Sequence, residues 1–169
     1  MLARPTPVDS EIAAVIFKEH LDELWANGLA ERHGWGRLDL DRLHSVVIMW
    51  ASRRDGTKDH YFVRLGAEFY DRWPPTVCFL DPTDWRPVTV AKRWWPQVNF
   101  PEWMKFHLNH QLNGQPSQLL CFSFTAEYYM VDHQPQELAV WKPGTHTLSA
   151  TVTKLQEVLG QPYYQKPSE

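Results

Sequence analysis

The sequence predicts an α+β fold, with an N-terminal helix, an antiparallel β-meander and a closing helix. Three observations carry this. An amphipathic stretch opens the chain at Ser10, the hydrophobic period shortens at Ser45, and a helical period returns after Thr147.

The elements follow in order. Residues 1–9, with Pro5 and Pro7, read as a loose leader, and residues 10–160 as one domain. "SEIAAVIFKEHLDELWANG" places Ile12, Val15, Ile16, Leu24 and Trp25 near helical spacing. Ser10 is the expected N-cap and Asn27-Gly28 the stop. "SVVIMWAS" is an apolar, β-branched run, and Asp55-Gly56 centres the turn after it. In "HYFVRLGAEF", Tyr61, Val63 and Leu65 face one way and Phe62 and Arg64 the other. "TVCFL" is the third strand. Pro74-Pro75 stand just before it, where a missing N–H donor does least harm. Residues 82–116 read as an irregular insertion, within which "PEWMKFHLNHQLNG" suggests a short helix with Pro101 at its start. "QLLCFSF" is strand-like, "AVWKPGTH" is a turn, and "TLSATVTKLQEVLG" lines Leu148, Val152, Leu155, Val158 and Leu159 along one helical face. Residues 161–169 are left as a C-terminal tail.

Composition narrows the function. The chain has 169 residues, nine of them Trp, and a net charge of −3, which does not favour wholesale capture of nucleic acid. No apolar run is long enough to span a bilayer, and the first residues lack the apolar centre of a secretory signal. Two cysteines, Cys78 and Cys121, make no disulfide framework, so a reducing cytoplasm is the expected compartment.

The order of these pieces resembles the ubiquitin-conjugating enzyme family. "YDRWPP" (Tyr70 to Pro75) is similar to the family's tyrosine and double-proline element before a strand. "HLN" (His107 to Asn109) stands where the family has a His-Pro-Asn turn, with Leu108 in place of the proline. "LLC" ends at Cys121, and "WKP" (Trp141 to Pro143) precedes the last helix as a Trp-x-Pro turn does in the family. The likeness spans Phe62 to Leu159. The longer stretch from Pro75 to Cys121 departs from it and suggests a bacterial relative.

The resemblance implies a thiol, Cys121, that accepts a ubiquitin-like protein as a thioester from an activating enzyme and passes it to a target amine. Asn109, with Asn113 as its rival, would support the oxyanion, and His107 would buttress the loop. Asp132 or His133 would help deprotonate the amine. Tyr70, Pro74, Pro75, Trp141 and Pro143 are read as scaffold, Cys78 as core, and His20 to Trp25 as a contact region for the activating enzyme, with Leu24 packed. The partners implied are an activating enzyme, a ubiquitin-like protein and a protein target, without nucleic acid, membrane or cofactor.

Other classes stay open. Related domains without a working cysteine bind ubiquitin-like proteins or peptides. His107, His110, Cys121 and His133 include the types that zinc prefers, though in loose spacing. "KRWWP" (Lys92 to Pro96) mixes basic and aromatic residues as single-strand nucleic-acid platforms do.

Overall fold

Asp9, not Ser10, caps the first helix. Its Oδ1 accepts from the backbone N–H groups of Glu11 and Ile12, both at 3.0 Å, and α1 then runs Ser10–Ala26. The structure, a computed structural model, describes residues 4–131 and 140–169. The buried face of α1 is Ala13, Phe17, Leu21 and Leu24. Ile12 and Val15, expected on that face, are 61% and 67% exposed. At 3.6 residues per turn they sit about 120–180° round the cylinder from Leu21, and the side holding the large Phe17 ring is the one that packs. A short α2 (Leu29–His33), unforeseen in the sequence, follows Gly28, whose φ of 80° lets the chain turn between the helices.

The antiparallel meander is present as expected. β1 (Gly36–Asp39), β2 (His44–Ser52), β3 (Lys58–Gly66), β4 (Thr76–Asp81) and β5 (Arg86–Pro87) form one sheet in chain order. β2 and β3 pair from His44↔Gly66 to Ser52↔Lys58, and β3 and β4 from Phe62↔Leu80 to Gly66↔Thr76. Tyr61, Val63 and Leu65 are fully buried, as the alternation required. With Val47, Met49, Val77 and Phe79 they meet α1 and the closing helix α4 (Leu148–Val158), which contributes Leu148, Val152, Leu155 and Val158 to the same core.

Gly66 ends β3 where a side chain has no room. A Cβ there would stand 2.1 Å from Thr76 Oγ1 and 2.6 Å from Glu68 Oε2. Those two atoms are themselves hydrogen-bonded at 3.1 Å, and His44 holds the other Glu68 oxygen. Gly66→Ala should therefore cost about 1–3 kcal/mol by overpacking, readable as a lower urea midpoint with an unchanged slope.

The segment expected to be irregular contains strands. β6 (Pro96–Val98) and β7 (Lys105–Leu112) fall within residues 82–116, as does β5, and the helix expected from Pro101 to Gly114 does not form. Instead β7 alternates exposed and half-buried along its whole length and pairs with β8 (Gln115–Cys121) through Asn113-Gly114. Both turn residues are left-handed, with φ 51° and 75°. This is the two-residue turn whose twist matches that of the flanking strands.

The tail is ordered too. β9 (Tyr164–Pro167) pairs with β6, and Tyr164 is buried. Its hydroxyl donates to Asp59 Oδ2 at 2.8 Å and meets the Tyr61 hydroxyl at 2.7 Å, while Arg53 grips the same carboxylate at 2.7 and 2.9 Å. Burial alone would raise the Asp59 carboxyl, but the Arg53 and Tyr164 bonds together hold it below the usual carboxylate range.

Two side chains lock the β7–β8 hairpin and the following α3 (Ala126–Met130) onto the sheet. β5 pairs only with Leu80 and Asp81, leaving earlier β4 backbone groups to find partners. Gln118 of β8 accepts from Phe79 N at 2.8 Å, and its Nε2 donates to the carbonyls of Phe79 (2.8 Å) and Val88 (2.9 Å). Glu127 of α3 accepts from Val77 N at 3.0 Å. The double proline takes part: the Pro75 carbonyl accepts from Ala126 N, the first residue of α3, at 2.9 Å.

Candidate functional site around Cys121

Cys121 is the last residue of β8, and the ladder fixes its neighbours. Lys105 lies directly opposite, Leu120 faces Phe106, and Leu119 faces His107. Phe106 and Leu120 point into the core, where Phe106 meets Phe79 and Trp95. Lys105, His107, Leu119 and Cys121 therefore share the opposite face. A one-residue irregularity between His107 and His110 brings His110 onto this face as well, opposite Ser117, with the two imidazole centroids 6.5 Å apart.

Beyond Cys121 the chain turns tightly into α3. Thr125 Oγ1 donates to the carbonyls of Leu120 (2.8 Å) and Phe122 (3.1 Å), and Tyr129 OH donates to the Ser123 carbonyl at 2.9 Å. The same Tyr129 oxygen accepts from Trp141 N at 2.9 Å. Trp141 in turn donates from Nε1 to the Asp71 carbonyl at 2.8 Å and stands against the Tyr70 ring at 6.0 Å. The Tyr70 to Pro75 and Trp141 to Pro143 motifs, far apart in sequence, thus brace the Cys121 segment together.

The two cysteines differ in reach. Cys78 is 8% exposed on β4, and burial pushes its thiol up to about 12. Cys121 is half-buried; burial raises its thiol above the ordinary value and the Lys105 charge pulls it part of the way back. Tyr128 is raised first by burial and then by Cys121, which puts its phenol near the sulfur. His107 is lowered first by burial, then by His110 and Lys105, and so favours the neutral imidazole. Iodoacetamide should accordingly alkylate Cys121 well before Cys78 in the folded protein. Lys105→Gln should slow that reaction about 2–5-fold at pH 8, because a smaller share of the sulfur is thiolate.

The other expected residues are more scattered. His107 and Asn109 lie on strand β7 rather than in a catalytic turn, because the alternating pattern and the Asn113-Gly114 turn make this stretch a hairpin arm. His107 is diagonal to Cys121. Asn109 sits past it at the irregularity, roughly 10 Å along the ladder from Cys121 at the usual rise per residue. Asn113 occupies the hairpin turn farther off. Asp132 and His133 lie outside the described residues. On α1, Leu24 is buried as expected, and His20 Nδ1 is 2.6 Å from the Tyr70 hydroxyl, at the back of the Tyr70–Trp141 brace.

"KRWWP" divides between two surfaces. Trp95 packs in the core against Phe79. Trp94 lies on the other side of the sheet beside Phe62 and His60, with the Arg93 guanidinium 4.6 Å above it. Among the described residues, no group of three or more His, Cys, Asp or Glu side chains is arranged to hold a metal ion, and no helix is long and apolar enough to cross a membrane. In comparisons with known proteins, the chain matches no protein-family model and no curated sequence.

Sequence reasoning missed Lys105, Gln118 and Glu127. The Asn113-Gly114 pair was the available signal for a hairpin. Counting back from it without the irregularity pairs Phe106, not Lys105, with Cys121.

Proposed function

We propose that the protein is a ubiquitin-conjugating-type acyl carrier, which receives a ubiquitin-like protein from an activating enzyme as a thioester on Cys121 and transfers it to an amine. The observation that carries this reading is the contrast between a half-exposed Cys121 at a strand end, beside a lysine, and a sealed Cys78. The order of helix, meander, double proline, cysteine, Trp-x-Pro turn and closing helix supports it.

In the transfer, the Cys121 thiolate attacks the incoming thioester carbonyl and the activating enzyme's thiol departs. Lys105 stabilises the thiolate by charge. A thiol raised by burial is less often ionised but more nucleophilic when it is. With Asn109 remote from the sulfur, oxyanion support falls to closer donors, and the Lys105 ammonium is the one at hand.

The test mixes the protein with an activating enzyme, nucleotide and modifier. The expected product is a higher band that reductant removes and that Cys121→Ala does not form. Cys121→Ser should give a band that survives reductant. An adduct that forms equally on Cys121→Ala would overturn the proposal.

A second reading, a domain that binds such modifiers without acylation, is favoured by the burial that raises the Cys121 thiol. Saturable modifier binding that is unchanged in Cys121→Ala, without any thioester, is its signature.

A further inference from the structure

We infer that the face of the five-stranded sheet turned away from the helices is a binding platform for single-stranded nucleic acid. The platform is independent of the acyl chemistry at Cys121. Its rings are set by the ladder. Met49, Tyr61 and Val63 point inward to the core that α1 and α4 cover, so Ile48, Trp50, His60 and Phe62 point outward. Trp50 lies directly opposite His60 with ring centroids 5.3 Å apart, and Phe62 stands 5.5 Å from His60. Two loops extend the row. Trp94 is 5.7 Å from His60 and 5.5 Å from Phe62, and Trp85 is 5.6 Å from Phe62. Five aromatic rings thus run unbroken from β2 across β3 to the turn after β4. Beneath them Val46, Cys78 and Leu80 form a small apolar cluster with Phe62 that, among the described residues, takes nothing from any helix. Trp50 and Trp85 remain 40% and 39% exposed. Large rings left open in one contiguous patch mark an interaction surface.

Charge decides the class of partner. Lys58 stands two residues before His60 on the same face of β3, and the Arg93 guanidinium lies 4.6 Å over the Trp94 ring. Beside Trp50 the surface dips into a hollow of about 400 Å³ lined by Arg32, His33, Gly34 and Lys58, with Glu31 the only acid in its wall. Among the described residues, none of Arg32, Lys58 and Arg93 is in an ion pair. The neighbouring acids are engaged within their own turns. Asp81 accepts from Thr83, Asp84 accepts from Arg86 N, and Arg53 grips Asp59.

A ligand with flat apolar groups strung on an anionic backbone matches both features. Bases stack on the exposed indoles, and phosphates meet Arg32, Lys58 and Arg93. The platform is held in place before binding, since Trp50 Nε1 donates to the Gly34 carbonyl at 3.1 Å and Arg93 covers Trp94. Stacking is indifferent to base identity, so binding is sequence-tolerant. A duplex keeps its bases stacked inside and offers the indoles nothing. The net charge of −3 weighs against capture over the whole surface, but it does not govern a local cationic border.

The probe is a fluorescein-labelled oligo(dT) of about twelve nucleotides, titrated with the intact protein in about 50 mM salt and followed by anisotropy and tryptophan quenching. Saturable binding is expected, with a duplex of the same length at least ~10-fold weaker. Trp50→Ala and Trp85→Ala should each weaken binding roughly 5–100-fold, and Trp50→Phe should keep most of it. Replacing Lys58 and Arg93 together by glutamine should lower the slope of log affinity against log salt by about 1.4. Thermal melts that match the parent show that these surface changes leave the fold intact. No saturation by ~100 µM protein, unchanged affinity in the two tryptophan variants, or equal affinity for the duplex would overturn the proposal. A salt slope unchanged in the glutamine variant would overturn the phosphate contacts. Self-association that Trp50→Ala abolishes, without oligonucleotide binding, would assign the face to a second copy of the chain and overturn the proposal too.

Discussion

Gln118→Leu should destabilise the protein by about 2–4 kcal/mol, because it strips the Gln118 partner from the Phe79 N–H and the Val88 carbonyl in a buried setting and leaves the Phe79 carbonyl with the Val88 N–H alone. Leucine fills most of the volume, so the loss reports on hydrogen bonding rather than on a cavity. The damage should be local first. Gln118 lies three residues before Cys121 and fastens its strand to the edge of β4, so hydrogen exchange in β7 and β8 should accelerate at denaturant concentrations where β2 and β3 stay protected. Thioester formation should fall further than the loss of folded protein accounts for, since the sulfur is no longer held beside Lys105. Equal protection in the hairpin and the central sheet would contradict this account of what holds the site.

Glu127 gives the second large effect, and its sign depends on pH. It is buried and its carboxyl is pushed up to about 8 by desolvation, which outweighs the Val77 N–H that favours the charged form. A carboxyl raised on folding binds its proton more tightly in the native state than in the unfolded chain. Its contribution is therefore present in full below the ordinary carboxylate value and is lost as pH climbs from there towards 8. Glu127→Gln keeps an oxygen for Val77 N and removes the ionisation. Near pH 5 the variant and the parent should unfold at similar temperatures. At pH 9 the glutamine protein should be the more stable, by on the order of 3 kcal/mol. Parallel stability curves across this range would show that Glu127 titrates as it does in the unfolded state. Because α3 carries Tyr128 beside Cys121, the same titration bears on the site as well as on the fold.

The outline of the fold was legible because it rests on local periodicity. The period-2 run through Tyr61, Val63 and Leu65 and the helical face through Leu148, Val152 and Leu155 each bury what their spacing implies. On α1 the period was right and the face was right in part: Leu24 is buried and Ile16 and Trp25 pack against the core, whereas Ile12 and Val15 are exposed. Ile12 and Val15 are as apolar as the buried set, and only the tertiary position of Phe17 decides which face turns inward. The β7–β8 hairpin was missed although Asn113-Gly114 is a strong local signal, because Pro101 and Gly114 also fit the two ends of a helix. The site was harder still. One extra residue between His107 and His110 moves Lys105 from the Phe122 register to the Cys121 register, and no residue type there announces it. Gln118 and Glu127 act on β4 from 39 and 50 residues away, so their roles appear only once the sheet edge is known. The double proline and the Trp-x-Pro turn were read as scaffold, and the buried Tyr70 and Trp141 of the two motifs are in contact.

The most direct measurement is the intact mass of the protein after incubation with an activating enzyme, nucleotide and a ubiquitin-like protein, followed by peptide mapping at low pH. The account predicts a gain equal to the modifier minus one water, held on the peptide that ends β8 and released by hydroxylamine. A modifier carried elsewhere, or a Cys121 that stays a free thiol while the activating enzyme is fully charged, would contradict it.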